Sequence, residues 1–272
     1  MHRSIYIPSL TFIFFASTSA AAPISPDSRD ARAIMEAVES QPEGDQSKGR
    51  LVMTITDNAG RSRQRVVQSR AMNFAEGRKQ LMRFESPADV RNISLLSVDF
   101  KSGDRDDLQW LYLPSMSKLT RISSGEKSGS FMGTDLSYSD MTEADINHYD
   151  YRLVKPEVVI RGEPCWQIES RPKTQRARDE TGYVKTHIWI SKSKLVPLQL
   201  KAWVREGRRL KYIQFRDYKQ IDGLWVAQLI LAQTRKGRQV ESSTSLKFTE
   251  LSFGNSDVIE SLFQQNRLEQ GF

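Results

Sequence analysis

The sequence is poor in cysteine, with one such residue among 272. Because Cys165 stands alone, the chain has no intramolecular disulfide, and structural zinc sites built from several cysteines are excluded. Cys165 lies in the apolar, strand-like run 163–168. We expect it to be a buried small hydrophobic side chain, with a reactive or pairing thiol as the alternative. Packing and hydrogen bonds, rather than cross-links, must therefore hold the fold.

Histidine is also scarce, with three residues in the whole chain, of which two follow residue 22. A Ser-His-Asp site needs a histidine beside an activated serine. Neither His148 nor His187 lies near a serine motif, and residues 129–133 lack the G-x-S-x-G spacing. His148 has Asp145 and Asp150 nearby, which would suit a metal, but a surface histidine at a strand start is the simpler interpretation. His187 is expected inside a strand.

Phosphate-binding and calcium-binding loops are missing as sequence patterns. No G-x-G-x-x-G occurs, and residues 125–128 lack the Gly-Lys-Ser/Thr order of a phosphate loop. Asp104, Asp106 and Asp107 could hold calcium, but no EF-type loop follows them, so a charged hairpin turn is favoured. We therefore expect no cofactor, no metal and no catalytic residue. An enzyme would require His148 or a pair of carboxylates in a cleft.

Long apolar runs are absent except at the N-terminus. Residues 1–3 form a short basic start, residues 5–16 are mostly apolar, and residues 17–22 are small. This order is typical of a secretory signal, and an apolar stretch of about 12 residues is too short to span a bilayer. We predict that residues 1–21 are a signal peptide, removed after Ala20 or Ala21, with an uncleaved anchor as the alternative. The mature chain then works outside the cytoplasm.

The charge balance is basic but mixed. The formal net charge is +7, from 40 lysines and arginines against 33 acidic residues. A basic surface in an envelope compartment can contact anionic lipid headgroups or acidic proteins. Nucleic acid is excluded as an expected partner because the signal separates the chain from the cell's DNA. Contact with membranes is expected to be peripheral at most.

Strand-like segments fill most of the chain after Arg50. Apolar runs of strand length recur every 10 to 15 residues with turn signals between them, which favours an antiparallel meander. The clearest part is 197–251, where Gly207, Gly223 and Gly237 mark three hairpin turns. With no internal repeat and no linker, we predict one domain over residues 22–272, with about ten or eleven strands.

Helical patterns occur at three places. Residues 28–40 carry one apolar stripe after Ser28, which can cap a helix. Residues 257–265 are predicted as a short helix with a capping box, and 171–182 as a charged, exposed loop. Short helices are also expected over about 128–147, where they interrupt the strands. Such an insertion could cover an open face of the sheet.

Aromatic side chains concentrate on the predicted strands. A bent sheet with a bulky apolar inner face can close on a packed core, or it can enclose an apolar ligand cavity. Spacing alone leaves both outcomes open. The aromatic residues concerned are Trp110, Tyr112, Trp166, Trp189, Trp203, Tyr212, Phe215 and Trp225.

Residues 110–141 carry a resemblance to a known family. The run Leu111-Tyr112-Leu113-Pro114 is followed by Arg121-Ile122 and then by F-M-G-T-D-L-S-Y-S-D over residues 131–140. Together with a secretory signal, an N-terminal helix and two meanders around a helical insertion, these motifs make the chain similar to the outer-membrane lipoprotein-sorting proteins. That group belongs to the LolA-like carriers of Gram-negative bacteria. The overall resemblance covers the mature chain, and the strong motif identity covers 110–141.

The resemblance implies a mainly β fold: an incomplete, strongly bent antiparallel β-barrel with short helices as a lid over an apolar cavity. It also implies a periplasmic carrier that shuttles the acyl chains of lipoproteins or other lipids towards the outer membrane without catalysis. An inner-membrane export pump is the implied protein partner. The alternative is an adaptor or sensor protein that works with such a pump.

Candidate site residues come from the same segment. Arg121 and Asp135 are candidates for a charge pair that holds the lid shut, while the alternative is that Thr134 or Asp135 caps a helix. The candidates for contact with an acyl chain are apolar or aromatic: Trp110, Tyr112, Phe131, Met132, Leu136 and Tyr138.

Overall fold

A computed structural model describes residues 24–101 and 105–270, and the predicted signal peptide lies outside these residues. Strands dominate the described chain. The first six are β1 (Gln46–Asp57), β2 (Ser62–Phe74), β3 (Gly77–Ser86), β4 (Ser94–Phe100), β5 (Leu108–Leu113) and β6 (Lys118–Arg121). The other seven are β7 (Tyr149–Ile160), β8 (Glu163–Pro172), β9 (Tyr183–Ser191), β10 (Pro197–Val204), β11 (Arg209–Ile221), β12 (Leu224–Lys236) and β13 (Gln239–Ser252).

All thirteen strands belong to one antiparallel sheet, in the order β6-β5-β4-β3-β2-β1-β13-β12-β11-β10-β9-β8-β7. Two meanders, β1–β6 and β7–β13, are joined where the first strand pairs with the last. β6 and β7 end the sheet without pairing to each other, so the barrel stays open. The predicted fold class is confirmed. The strand count exceeds the prediction; β6 has four residues and no apolar run, so it carries little sequence signal.

The sheet has two faces with different covers. We call the face covered by residues 122–148 the inner face and the opposite one the outer face. Side chains alternate between them along each strand, and the main core lies between the inner face and residues 122–148. Its most buried members are Met53, Val67, Phe84, Leu95 and Phe131. A second cluster lies on the outer face beneath the C-terminal segment, with Val258, Phe263 and Leu268 as its cover.

The N-terminal helix α1 spans Ala31–Glu39 and packs at the β8–β9 end of the sheet. Its cap is Asp30 rather than the predicted Ser28, because the Asp30 carboxylate accepts hydrogen bonds from the backbone N–H groups of the first turn. The Ser28 carbonyl instead accepts a hydrogen bond from the Trp166 indole at 3.1 Å. Ile34 is fully buried in this contact.

Two predicted elements differ from those in the structure. The expected loop 171–182 contains a helix, α2 (Gln175–Thr181), which Thr174 caps and Gly182 ends in a left-handed conformation. In the C-terminal segment, a 3₁₀ helix (Glu260–Phe263) and α3 (Arg267–Gln270) replace the single predicted helix.

The predicted capping box of the C-terminal helix does not form. The Asp257 carboxylate pairs with Lys48 of β1, and that of Glu260 with Lys79 of β3 at 2.6 Å. Both acidic side chains therefore bind lysines of the sheet. These pairs fasten the C-terminal segment to the outer face.

Cys165 is fully buried in β8, as predicted. Burial, and then the neighbouring Glu163 carboxylate, raises the pKa of its thiol to about 11. The thiol is therefore protonated at neutral pH, and the thiolate is the reactive form. Among the described residues, no helix is both long and apolar enough to cross a membrane.

Candidate functional site: the lid and the pocket beneath it

Residues 122–148, here called the lid, connect the two free edges of the sheet and cross its inner face. The lid contains short 3₁₀ helices instead of longer α-helices. They span Ser124–Glu126, Phe131–Gly133, Ser139–Met141 and Ile146–His148. Backbone hydrogen bonds within the lid link these short helices: the Tyr138 N–H donates to the Gly129 carbonyl at 3.1 Å, and the Ser139 N–H donates to the Lys127 carbonyl at 2.9 Å.

The family motif forms a closed loop over residues 130–137. Met132 and Gly133 both have left-handed backbone conformations, with φ of 51° and 73°. Glycine adopts this conformation without steric strain. The Thr134 hydroxyl donates to the Phe131 carbonyl at 2.7 Å and so closes the turn. The motif therefore encodes a specific turn, and Thr134 acts inside it rather than as the cap of a helix.

Apolar motif residues anchor this loop to the core. Phe131 is fully buried, and its ring centroid lies 6.0 Å from that of Phe84 and 5.6 Å from that of Tyr138. Leu136 is buried in the same cluster, and Met132 packs against it. The structure thus brings four of the six predicted contact residues together on the side of the lid that faces the sheet.

Trp110 and Tyr112 lie elsewhere. On β5, Leu111 points to the inner face and joins the main core, so its neighbours point to the outer face. There they pack in the cluster that the C-terminal segment covers, around Val258. Trp110 and Tyr112 therefore share no pocket with the lid residues. Because β5 is apolar on both faces, its sequence could not assign them to one side.

The Asp135 carboxylate is held by hydroxyl groups of β13. It accepts hydrogen bonds from Ser242 at 2.6 Å and from Thr244 at 2.7 Å, and its side chain is buried. Arg121 is exposed on β6 and forms no ion pair with any described residue. The expected Arg121–Asp135 pair is thus replaced by a hydroxyl latch between the lid and β13.

A buried ionic latch holds the next part of the lid. Asp140 accepts a hydrogen bond from the Lys211 ammonium at 2.7 Å and another from the Tyr183 hydroxyl at 2.7 Å. Both charged side chains are nearly buried, at 12% and 10% exposure. Burial acts to raise the pKa of Asp140, but the charge and hydrogen bond of Lys211 outweigh it, so the pKa lies below its usual range.

Sequence reasoning missed this latch, although one signal was available. Lys211 shares its face of β11 with Ile213 and Phe215, so it is a lysine at an apolar position of the alternation. A lysine placed in this way needs an anionic partner. Asp140, the last residue of the family motif, is that partner.

Further polar contacts fix the rest of the lid. Arg65 of β2 donates to the Met132 carbonyl at 2.6 Å, and Gln109 of β5 donates to another lid carbonyl at 3.0 Å. The Lys127 ammonium, almost fully buried, binds the Glu180 carboxylate of α2 at 2.9 Å. The lid is thus tied to both meanders by polar contacts.

A partly open pocket of about 310 Å³ lies between the second half of the lid and the inner face of β7–β13. Most of its lining is apolar or aromatic, although Asp140 and Tyr183 of the ionic latch also border it. Its volume is at the lower end of the range of about 300–1,000 Å³ that is typical of ligand pockets. Apolar lining residues include Leu136, Met141, Ile188, Ile213, Phe215 and Ile230.

Asp99 is a buried carboxyl at the other end of the lid. Its Oδ1 atom has no hydrogen-bond partner among the described residues. Burial, and then the charges of Asp107 and Glu143, raises the pKa of Asp99 well above its usual range. The folded state therefore favours the protonated, neutral form of this side chain.

Replacing Asp99 by asparagine is expected to stabilise the protein increasingly as the pH rises. The folded state of the wild type holds the Asp99 proton above the ordinary pKa of about 3.9, so its stability falls from about that pH upward to the folded-state pKa. Thermal melts at pH 4 and pH 8 should show a gain in Tm for Asp99→Asn at pH 8 only. A gain of equal size at both pH values would contradict this assignment.

The two histidines form no common site. His148 ends the last 3₁₀ helix of the lid, where its Nε2 atom lies 3.7 Å from the Asp145 carboxylate. His187 lies within β9, as predicted, 3.1 Å from Glu169 and stacked edge-on against Trp203. Within residues 24–101 and 105–270, no three His, Cys, Asp or Glu side chains are grouped to hold a metal ion.

The chain is similar to one family model and to several solved structures. A family model described only as an uncharacterized protein matches residues 76–270, which include the lid and β7–β13. No curated protein matches the chain.

Three solved structures share the fold over most of the chain. A domain assigned to outer membrane lipoprotein sorting, from Vibrio parahaemolyticus, is 29% identical with a TM-score of 0.78, covering 88% of this chain and 98% of that one. A DUF1329 family protein from Desulfovibrio piger is 28% identical with a TM-score of 0.75, covering 86% and 98%. A LolA superfamily protein from Nitrosomonas europaea is 17% identical with a TM-score of 0.65, covering 87% and 98%, and supports the fold alone.

Proposed function

We propose that this chain, which belongs to the family whose model matches residues 76–270 and is similar in fold to a solved outer membrane lipoprotein-sorting domain, carries acyl chains of lipoproteins or other lipids through the periplasm. The observation that carries the proposal is the apolar pocket beneath a latched lid. Exposing an acyl chain to water costs about 0.8 kcal/mol per CH₂ group. A covered pocket removes that penalty without catalysis and without ATP.

In this proposal the lid moves to admit its cargo. At about 310 Å³, the pocket beneath the lowered lid admits part of a long acyl chain, and the remainder needs space that opens when the lid rises. Leu136 and Met141 contact the chain in this proposal, while Phe131, Met132 and Tyr138 anchor the lid to the core. Raising the lid must break the Asp140–Lys211 and Asp135–Thr244 contacts. These latches set the balance between closed and open states.

Delivery requires a receiver that binds the acyl chain more tightly or favours the open lid. We propose the outer membrane as the destination and an inner-membrane export pump as the donor. The proposal includes cleavage of residues 1–21 as a secretory signal, since the periplasm is reached only after export.

A second candidate is an adaptor for such a pump, without lipid cargo. The free edge of β7, with twelve residues from Tyr149 to Ile160, favours it. Unpaired edge strands can add a strand from a partner protein. An adaptor needs no vacant apolar pocket, so lipid uptake separates the two candidates.

Loosening the hydroxyl latch should speed lipid exchange. Ser242→Ala with Thr244→Val removes both hydroxyl donors to Asp135, and loss of such buried partners costs about 1–3 kcal/mol. We expect uptake and release of a fluorescent fatty acid, followed by stopped flow, to become about tenfold faster.

The matched control is Ser243→Ala with Ser245→Val, which changes residues of the same strand on the outer face. It should exchange lipid at the wild-type rate. Uptake by none of the proteins would favour the adaptor. Equal acceleration in both variants would show that the hydroxyl contacts of Asp135 do not control the rate of lipid exchange.

A further inference from the structure

The outer face carries a polar groove that lipid carriage does not use. It has a volume of about 560 Å³ and crosses β10–β13 and β1. The groove lies on the opposite side of the sheet from the lid, because Thr54 and Thr56 alternate with the core residues Met53 and Ile55. The sheet therefore separates the groove from the acyl pocket.

Side-chain size creates the groove. Short hydroxyl residues form its floor on two neighbouring strands: Thr54 pairs with Ser245, and Thr56 pairs with Ser243. Longer side chains rise beside them on the next strands. These are Tyr212, Gln214, Arg216, Gln233 and Arg235. The result is a trough with hydroxyl groups at the bottom and amide, aromatic and guanidinium groups along one wall.

The groove is positively charged. Its lining includes Arg216 and Arg235 but no carboxylate. Neither arginine forms an ion pair with a described residue; instead each donates to a neutral glutamine, Arg216 to Gln214 at 2.9 Å and Arg235 to Gln233 at 2.7 Å. Hydrogen bonds to glutamine orient the two guanidinium groups without neutralising them, which leaves both available for an anion.

The two arginines stand at opposite ends of the trough. Arg235 pairs across the strands with Leu210, which precedes Arg216 by six residues on β11. At about 3.3 Å per residue, their backbone positions are separated by roughly 20 Å. Both side chains turn inward along the trough: the Arg235 guanidinium lies 5.4 Å from the centre of the Tyr212 ring, and that of Arg216 donates to Gln214. Tyr212 and Gln214 occupy the stretch between them and offer a hydroxyl, an aromatic ring and an amide.

We propose that this groove binds an anionic saccharide chain. A trough that crosses five strands favours an extended molecule, and the two guanidinium groups favour acidic groups on it, because the lining contains no carboxylate to neutralise them. Sugar hydroxyls match the serine, threonine and glutamine groups between them, each of which can donate and accept hydrogen bonds. A bilayer presents a plane and cannot reach the floor of a trough, so a membrane surface fits less well.

The test is calorimetric titration of the full chain with short oligomers of galacturonic acid, with maltose oligomers as the neutral probe. We expect the acidic oligomers to bind and the neutral ones to bind at least tenfold more weakly, with salt reducing the acidic affinity. Arg216→Gln with Arg235→Gln should lower that affinity at least tenfold. Ser243→Leu, which fills the floor without changing charge, should weaken it comparably.

Lys219→Gln with Lys236→Gln is the matched control, because both lysines are exposed and lie outside the groove. This variant loses the same charge and should keep wild-type affinity. Equal losses of affinity in both double variants would show that net charge alone explains the binding and would contradict the proposed binding site. Equal binding of the neutral oligomers, or binding only to vesicles of anionic phospholipid, would overturn the ligand class.

Discussion

Replacing Lys211 by methionine is expected to lower the free energy of unfolding by about 3–5 kcal/mol. The substitution leaves the Asp140 carboxylate nearly buried, at 12% exposure, without its cation. The Tyr183 hydroxyl and the backbone of Ser137 still donate to it, but neutral donors do not replace a full charge. Chemical denaturation at neutral pH measures the loss.

A double variant separates the ion pair from the packing around it. Asp140→Asn with Lys211→Met removes both charges and should recover most of the stability lost in the single variant. The pH dependence should change as well. In the wild type the pKa of Asp140 is lowered, so its contribution is present above about pH 3.9 and is lost as the pH falls through the folded-state pKa.

The double variant should lack this part of the acid sensitivity. If Lys211→Met costs less than about 1 kcal/mol, the latch behaves like an exposed salt bridge. That result would contradict the assignment of the Asp140–Lys211 contact as a buried ion pair that holds the lid.

Replacing Ile230 by glutamate is expected to weaken fatty-acid binding by more than about tenfold, because a carboxylate in an apolar pocket carries a large desolvation penalty. Ile230 lines the pocket on the inner face. The next residue along β12, Leu229, pairs with Lys247 and points to the outer face. Leu229→Glu therefore introduces the same charge one residue away and should leave binding unchanged.

Titration of each protein with a fluorescent fatty acid measures this contrast, with thermal melts to establish that both variants are folded. A glutamate on β12 that reduced binding equally from either face would point to a general loss of structure. Unchanged binding by folded Ile230→Glu would exclude this pocket as the acyl site.

The fold could be predicted because its signals are local. Glycine turns such as Gly207 and Gly223 and apolar alternation between them identify the hairpins of the second meander. The elements that escaped prediction have weak or ambiguous local signals. β6 is short and polar, and the helix after Thr174 is so charged that it resembles a loop.

The candidate site was only partly predictable because partners across the sheet are set by tertiary structure. The motif identified the lid, and Phe131 and Leu136 of the lid pack against the sheet. The charged partner of the lid was assigned to Arg121, a neighbour in sequence, whereas Lys211 on a distant strand binds Asp140. Contacts of this kind depend on which strands the lid crosses, and one sequence does not reveal that path.

Native mass spectrometry of the protein, exported and purified without detergent, tests the central claim most directly. The account predicts an additional mass in the range of a lipid, which solvent extraction releases and the Ile230→Glu variant lacks. A protein that carries no lipid and takes up neither added fatty acid nor phospholipid would contradict the account and leave the adaptor as the better explanation.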